Sequence, residues 1–247
     1  MRQKVRRTIV FSMFFLFPLT FNYLSPYVSL DAAFMGLIAG SVIAFAFLFL
    51  SGIFFGRAWC AWFCPVAGLS EIGEMINNKP VNVKRLAIIR YSIFGVWFAV
   101  LIAAFVLAGG IKGFDPLHLT EHIVSIDEPF KFINYYMVLI ILFVLTVAIG
   151  KRGACHSICW MAPFLTVGEL VGRALHLPQL KIRSNLSACV DCGKCTKKCP
   201  MSIDVAGEIK FGGVKSLACI RCGECVDSCP KKALCYGMKS GLVPVGK

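Results

Sequence analysis

Four apolar stretches constrain this chain more than any other feature. They cover residues 8–30, 32–56, 86–109 and 133–150. A helix crossing a hydrocarbon core needs roughly 20 predominantly apolar residues. Its backbone N–H and C=O groups find no water there, so the segment must satisfy them internally as a helix. The spacing predicts four transmembrane helices within residues 1–180. Composition agrees: 57% of the 247 residues are hydrophobic and 16% charged, against about 45–50% and 25% in soluble domains. A water-soluble fold of this size is excluded. The first stretch outruns the apolar region of a secretory signal, and no small-residue cleavage site follows it cleanly, so it reads as a retained span. Tyr135 and Tyr136 suit an interfacial aromatic belt, and Arg90 is expected to snorkel toward the headgroups.

The net charge of +13 suits nucleic acid, a membrane surface or an acidic protein partner. Its distribution decides among them. With the C-terminal segment on the inside, 24 of the 26 basic and 8 of the 13 acidic residues fall on one face, which carries +16 against −3 opposite. Basic residues mark the cytoplasmic side, so both ends are expected in the cytoplasm of a multi-pass inner-membrane protein. No nucleic-acid role is needed, and the basic face suits redox subunits with an acidic cytoplasmic surface.

From about Lys181 the apolar runs stop, and residues 181–247 read as a small water-exposed domain joined by a linker over 175–183. Within it a motif occurs twice. Cys189-x2-Cys192-x2-Cys195-x3-Cys199-Pro200 is followed by Cys219-x2-Cys222-x2-Cys225-x3-Cys229-Pro230. Thiolates hold iron–sulfur clusters, and this is the spacing of bacterial two-cluster ferredoxins, in which the fourth cysteine serves the other cluster. One [4Fe–4S] set is then Cys189, Cys192, Cys195 and Cys229; the other is Cys219, Cys222, Cys225 and Cys199. Gly193 and Gly223 supply the backbone freedom such turns need. A zinc-ribbon pair is the alternative, and two complete runs ending in Cys-Pro weigh against it. The domain is expected to be α+β.

Two further pairs lie where apolar stretches end: Cys60-x3-Cys64-Pro65 and Cys155-x3-Cys159. An offset of 95 residues aligns them and also matches Ala67 with Ala162, Gly73 with Gly168 and Glu74 with Glu169. The membrane part therefore reads as two tandem helix-pair repeats. Both pairs fall at the cytoplasmic membrane surface, where residues i and i+4 of a helix share a face. Together they are candidates for a third iron–sulfur or metal centre, the other reading being small apolar residues in packing. Disulfides do not suit a reducing cytoplasm, and neither pair has the C-x-x-C-H pattern of haem attachment.

At these residues the chain resembles the NapH/MauN-type membrane ferredoxins and, further off, the NosR and CcoG proteins. The resemblance covers almost the whole chain, with Trp160 standing where the family's second proline would be. It implies an electron-transfer subunit, or quinol dehydrogenase, passing electrons between the quinone pool and redox partners of an anaerobic respiratory complex. The CcoG likeness allows an assembly factor that reduces or delivers a copper-like metal, for which thiolates suit soft ions.

Weaker candidates remain. His118-Leu-Thr-Glu121-His122 matches an inverted zinc-protease signature without its context, and reads as a protonatable outer cluster or an idle surface helix. His156 either tunes or ligates a centre or is a surface residue. Cys235 is read as packing near a cluster, and Glu71, Glu74 and Glu169 as caps or partner contacts. No phosphate loop, dinucleotide fingerprint or nucleophile triad occurs, so neither nicotinamide nor flavin is expected on this chain.

Overall fold

Proline breaks the first apolar stretch. In the computed structural model, which describes residues 1–120, 124–126 and 128–239, α1 (Arg2–Phe15) stops at Leu16. Pro18 cannot donate to the preceding turn and its ring clashes with it. The short α2 (Phe17–Thr20) and a 3-10 turn at Asn22–Leu24 follow, before α3 (Pro26–Met35) starts on Pro26. The continuous helix expected over 8–30 is thus corrected to a broken one. The segment has contacts at both ends, and α1 itself packs on α5 and α6. Arg2 lies beside Asp227 at one end, and Tyr23 meets Gly40 at the other.

Strand β1 (Leu37–Ala39) leads into α4 (Gly40–Phe55), which ends at Gly56 with φ 50° and ψ −132°. A Cβ there would run into the Arg221 guanidinium, so glycine is required. After a tight 3-10 turn come α5 (Trp59–Trp62) and α6 (Pro65–Ile76), then α7 (Val83–Leu107). Asn82 caps α7 by accepting from the Arg85 N–H at 3.1 Å. Strand β2 (Gly113–Asp115) pairs parallel with β1, Leu37 opposite Gly113. Helix α8 (Pro129–Ile149) ends at Gly150 and is followed by α9 (Gly153–Ser157) and α10 (Met161–Ala174). The remainder comprises β3 (Gln179–Ser184), α11 (Lys194–Lys197), α12 (Val205–Ile209), α13 (Glu224–Asp227) and β4 (Leu234–Lys239). β3 and β4 are antiparallel, Gln179 opposite Lys239 and Ser184 opposite Leu234. The expected linker over 175–183 is corrected accordingly, since its second half is a strand.

Among the described residues three helices are long and apolar enough to cross a membrane: Gly40–Trp62, Val83–Leu107 and Pro129–Ile149. Their outward faces carry side chains such as Ile88, Val96, Val106 and Ile140, all exposed, as lipid contact requires. Each amphipathic helix that follows a C-x3-C pair folds back on a distant span. α10 packs on α4, where a Cβ on Gly168 would collide with the Phe49 carbonyl and one on Gly172 with that of Ile53. This is the close approach that glycines four apart permit between membrane helices. α6 packs on α1 and α8, with Gly68 against Phe14 and Gly73 against Thr146.

The cysteine-rich region is fastened to this helical part rather than hanging from it. Gln179 Nε2 donates to the Ile53 and Glu169 carbonyls, both at 2.9 Å. Buried Arg221 pairs with buried Glu169 at 2.8 Å. Val81 N–H donates to Ser202 Oγ at 3.1 Å, and Gln3 Nε2 to the Cys222 carbonyl at 3.0 Å.

Candidate iron-sulfur sites

The eight cysteines of the two runs line two separate cavities. The first, of about 400 Å³, is walled by Cys189, Cys192, Cys195 and Cys229 with Ile209, Ala233 and Leu234. The second, about 310 Å³, is walled by Cys199, Cys219, Cys222 and Cys225 with Ile182, Met201, Val205 and Ile220. In each, three sulfurs come from one run and one from the other. The local backbone explains the wrapping. Gly193 and Gly223 start α11 and α13 with φ of 67° and 79°, turning the chain so that Cys195 and Cys225 enter a helical turn while the two preceding cysteines stay in the loop.

The four remaining motif cysteines share one further cavity. Cys60, Cys64, Cys155 and Cys159 line it together with Arg57, Arg152, Val66, Leu142, Met161, Met201 and Ile220. The open space between these residues, about 460 Å³, is comparable with that of each ferredoxin cavity. Met201 and Ile220 line this cavity and the second one alike; one layer of side chains separates the two. Cys60 sits on α5 and Cys155 on α9. Cys64 and Cys159 lie just beyond those short helices, at the entry to α6 and α10.

Burial governs the thiols. It pushes Cys199, Cys219 and Cys222 up to about 11 and Cys159 to about 12, with Cys155 and Cys60 adding to the shift. Cys64 is raised by burial and then by its three sulfur neighbours. Such groups stay protonated in apolar surroundings and become thiolates when a metal compensates the charge. Among the described residues, no three Cys, His, Asp or Glu side chains stand close enough to hold a single metal ion. Each of the three cysteine sets lines a cavity of its own.

Sequence reasoning missed the polar lining of the third cavity. Arg57 and Arg152, each three residues before the first cysteine of its pair, are both 1% exposed. Arg152 donates to the Cys60 carbonyl at 3.3 Å and to Glu71 at 3.2 Å. The 95-residue offset contained this signal, because it maps Arg57 onto Arg152. Arg90 does not reach headgroups: it is buried and donates to the Cys155 carbonyl at 3.2 Å. Tyr135 is likewise buried, against Phe17 and Phe21, and only Tyr136 is exposed.

The weaker candidates separate clearly. His156 is no surface residue. It is 1% exposed, and burial followed by Arg57, Arg90 and Arg152 pushes it down to about 3, so it stays neutral. Cys235 is exposed on β4 rather than packed near a cluster. Glu71 accepts from Arg6 and Arg152, and Glu169 from Arg173 and Arg221; both tie segments together. Glu74 is raised by burial. His118 lies 2.8 Å from Asp31 and 3.6 Å from Asp115; Glu121 and His122 fall outside the described residues.

Comparison with known proteins adds two kinds of match. Residues 181–230 match the family described as 4Fe-4S dicluster domain, and residues 37–81 one described as 4Fe-4S binding domain. The methylamine utilization ferredoxin-type protein MauN of Methylobacillus flagellatus is 27% identical over 185 residues, covering 71% of this chain and 60% of that protein. The putative electron transport protein YccM of Escherichia coli is 29% identical over 175 residues, covering 68% and 47%. MauN of Paracoccus denitrificans is 26% identical over 183 residues, covering 71% and 60%. The chain thus spans about half to three fifths of the length of the curated relatives it matches. No solved structure matches. These matches bear out the resemblance to MauN/NapH-type ferredoxins, and both matched segments are of an iron–sulfur-binding kind.

Proposed function

We propose that this relative of MauN and YccM is a membrane-bound electron carrier. It relays single electrons between a cytoplasmic two-[4Fe–4S] domain and a third iron–sulfur centre at the membrane surface, and onward to the quinone pool or a membrane redox partner. One observation carries this reading. Three cysteine-lined cavities of similar size follow one another, and the second and third share Met201 and Ile220 as a common wall. The ligand sets are Cys189, Cys192, Cys195 and Cys229; Cys199, Cys219, Cys222 and Cys225; and Cys60, Cys64, Cys155 and Cys159. The clusters supply the one-electron chemistry. The chain's own work is to hold the sulfurs apart at cluster spacing, to exclude water with Met201, Ile220 and Leu142, and to set the surrounding charge. The match over 37–81 contains Cys60 and Cys64 and none of the eight ferredoxin cysteines, which supports iron–sulfur binding at the third set.

The broken segment over 2–24 is the fourth crossing. It starts at the ferredoxin side and ends at the far side, as α4 does in reverse. The offset that aligns both cysteine pairs, both arginines and both following helices supports two helix-pair repeats, with residues 181–247 as the cytoplasmic domain. Both termini then lie on the basic, cytoplasmic face of the inner membrane.

The deciding measurement is iron and acid-labile sulfide per chain, with EPR, on anaerobically purified protein. Three cubanes give about twelve iron atoms, and two about eight. Cys60→Ser or Cys155→Ser should return the count from about twelve to about eight. A count of about eight in wild type and variants alike refutes the third centre, and copper in place of the extra iron favours metal delivery.

A further inference from the structure

The third cavity differs from the other two in the charge packed around it. Arg152 has a carboxylate partner in Glu71. Arg57 and Arg90, 1% and 4% exposed, have none within 4 Å among the described residues. Nε and Nη1 of Arg57 and Nε of Arg90 also meet no hydrogen-bond acceptor. Arg90 Nη1 donates to the Cys155 carbonyl and its guanidinium lies over the Tyr91 ring, but neither contact neutralises its charge. A buried cation without a counter-ion, and with part of its donor set unmet, is costly, and folds retain one only where something compensates it. Arg57 lies beside Cys60 and Cys159, and Arg90 is held against the Cys155 backbone. The available source of negative charge is the sulfurs themselves, once they ionise as cluster ligands.

The ferredoxin cavities lack this feature. The cations lining the first, Lys194 and Lys231, are exposed, and so is Cys192, so water screens their charge. At the second, Arg221 is engaged by Glu169 and by the Leu180 carbonyl. Among the described residues, the third is lined by a desolvated guanidinium without a carboxylate partner, that of Arg57, with Arg90 behind it on the Cys155 backbone. The potential of an iron–sulfur cluster follows its net charge, the hydrogen bonds to its sulfurs and its solvent exposure. One-electron reduction adds a negative charge to the centre, and a neighbouring cation in low dielectric stabilises that reduced form the more.

We infer that Arg57, backed by Arg90, is the charge-compensating positioning residue of the third iron–sulfur centre and holds its reduction potential above those of the two ferredoxin centres. The inference rests on the third-centre reading above and deepens it. The first electron to enter the chain from the cytoplasm then settles at the membrane surface. Arg152, the counterpart of Arg57 at the 95-residue offset, shares its charge with Glu71 and so contributes less.

Potentiometric EPR titration of the full chain in detergent tests this, with wild type, Arg57→Met and Arg57→Lys. In wild type the third centre should titrate at the highest potential of the three. Arg57→Met should lower it at least tenfold in the one-electron equilibrium, which is 59 mV, while the ferredoxin centres stay in place. Arg57→Lys, which keeps the charge, should recover most of the shift. If Arg57→Met fails to assemble the third centre, assembly in Arg57→Lys still supports charge compensation; failure of both overturns it, because the role is then one of shape. An unshifted third centre in Arg57→Met overturns the inference while leaving the centre itself standing. A wild-type count of about eight iron atoms removes the centre, and the inference with it.

Discussion

Glu71 shows how much one buried side chain organises. Its carboxylate, 9% exposed, faces the guanidinium groups of Arg6 and Arg152, which are 3% and 1% exposed. Breaking a buried pair from one side leaves an uncompensated charge, at a cost of about 3–5 kcal/mol. Glu71→Gln should therefore sharply lower thermal stability in detergent. The pair between Arg2 and Asp227 also bridges the helical and cysteine-rich regions, but its side chains are 31% and 36% exposed. Asp227→Asn should change stability by less than about 1 kcal/mol, since solvent screens such pairs. Equal costs for the two substitutions in the same melting assay would contradict this ranking. The glutamates and the arginines were all visible in the sequence. Which of them would be buried was not, because burial is set by neighbours distant along the chain.

Helix contacts decide whether the third cavity keeps its shape. Cys159 leads directly into α10, which is pressed on α4 through Gly168 and Gly172. Any side chain at Gly168 must displace the Phe49 backbone, and overpacking of this kind costs about 1–3 kcal/mol. Gly168→Val should disturb the EPR signal of the third centre and spare that of the first, whose walls belong to a different part of the chain. The reverse pattern would show that α10 does not position Cys159. The match of Gly73 with Gly168 was legible in the sequence, and so was the amphipathic character of both helices. The break at Pro18 was also legible, yet a count of apolar residues passes over it. Hydropathy measures length in oil, whereas proline acts through one missing N–H.

The folded molecule leaves a basic surface around the cysteine runs. Lys194, Lys197, Lys198, Lys231 and Lys232 are exposed around the run that contains exposed Cys192. Opposite charge accelerates encounter, and salt screens it. Electron transfer from a small acidic flavoprotein should slow steeply with ionic strength, and Lys194→Glu with Lys231→Glu should weaken that salt dependence. Rates indifferent to salt would place the entry point elsewhere. Labelling of single introduced cysteines in intact cells should find Lys112 reachable from outside and Lys79 shielded; the opposite result would invert the topology.

The sequence by itself carried the signals for iron–sulfur binding and for membrane-length helices, which the family matches and the three long apolar helices support. Cysteine spacing over a few residues specifies cluster ligands, because a short loop reaches only one side of a cubane, and apolar length specifies membrane spans. Charge placed beside those spans is the basis for the orientation proposed above. The tertiary structure alone decided that two cysteine pairs 95 residues apart share one cavity, that Met201 and Ile220 line it and a ferredoxin cavity alike, and that Arg57 faces it with no carboxylate within 4 Å among the described residues. These are relations between distant segments brought together by packing. No local pattern encodes them, since the same cysteine pairs and arginines on splayed helices would read identically in the sequence.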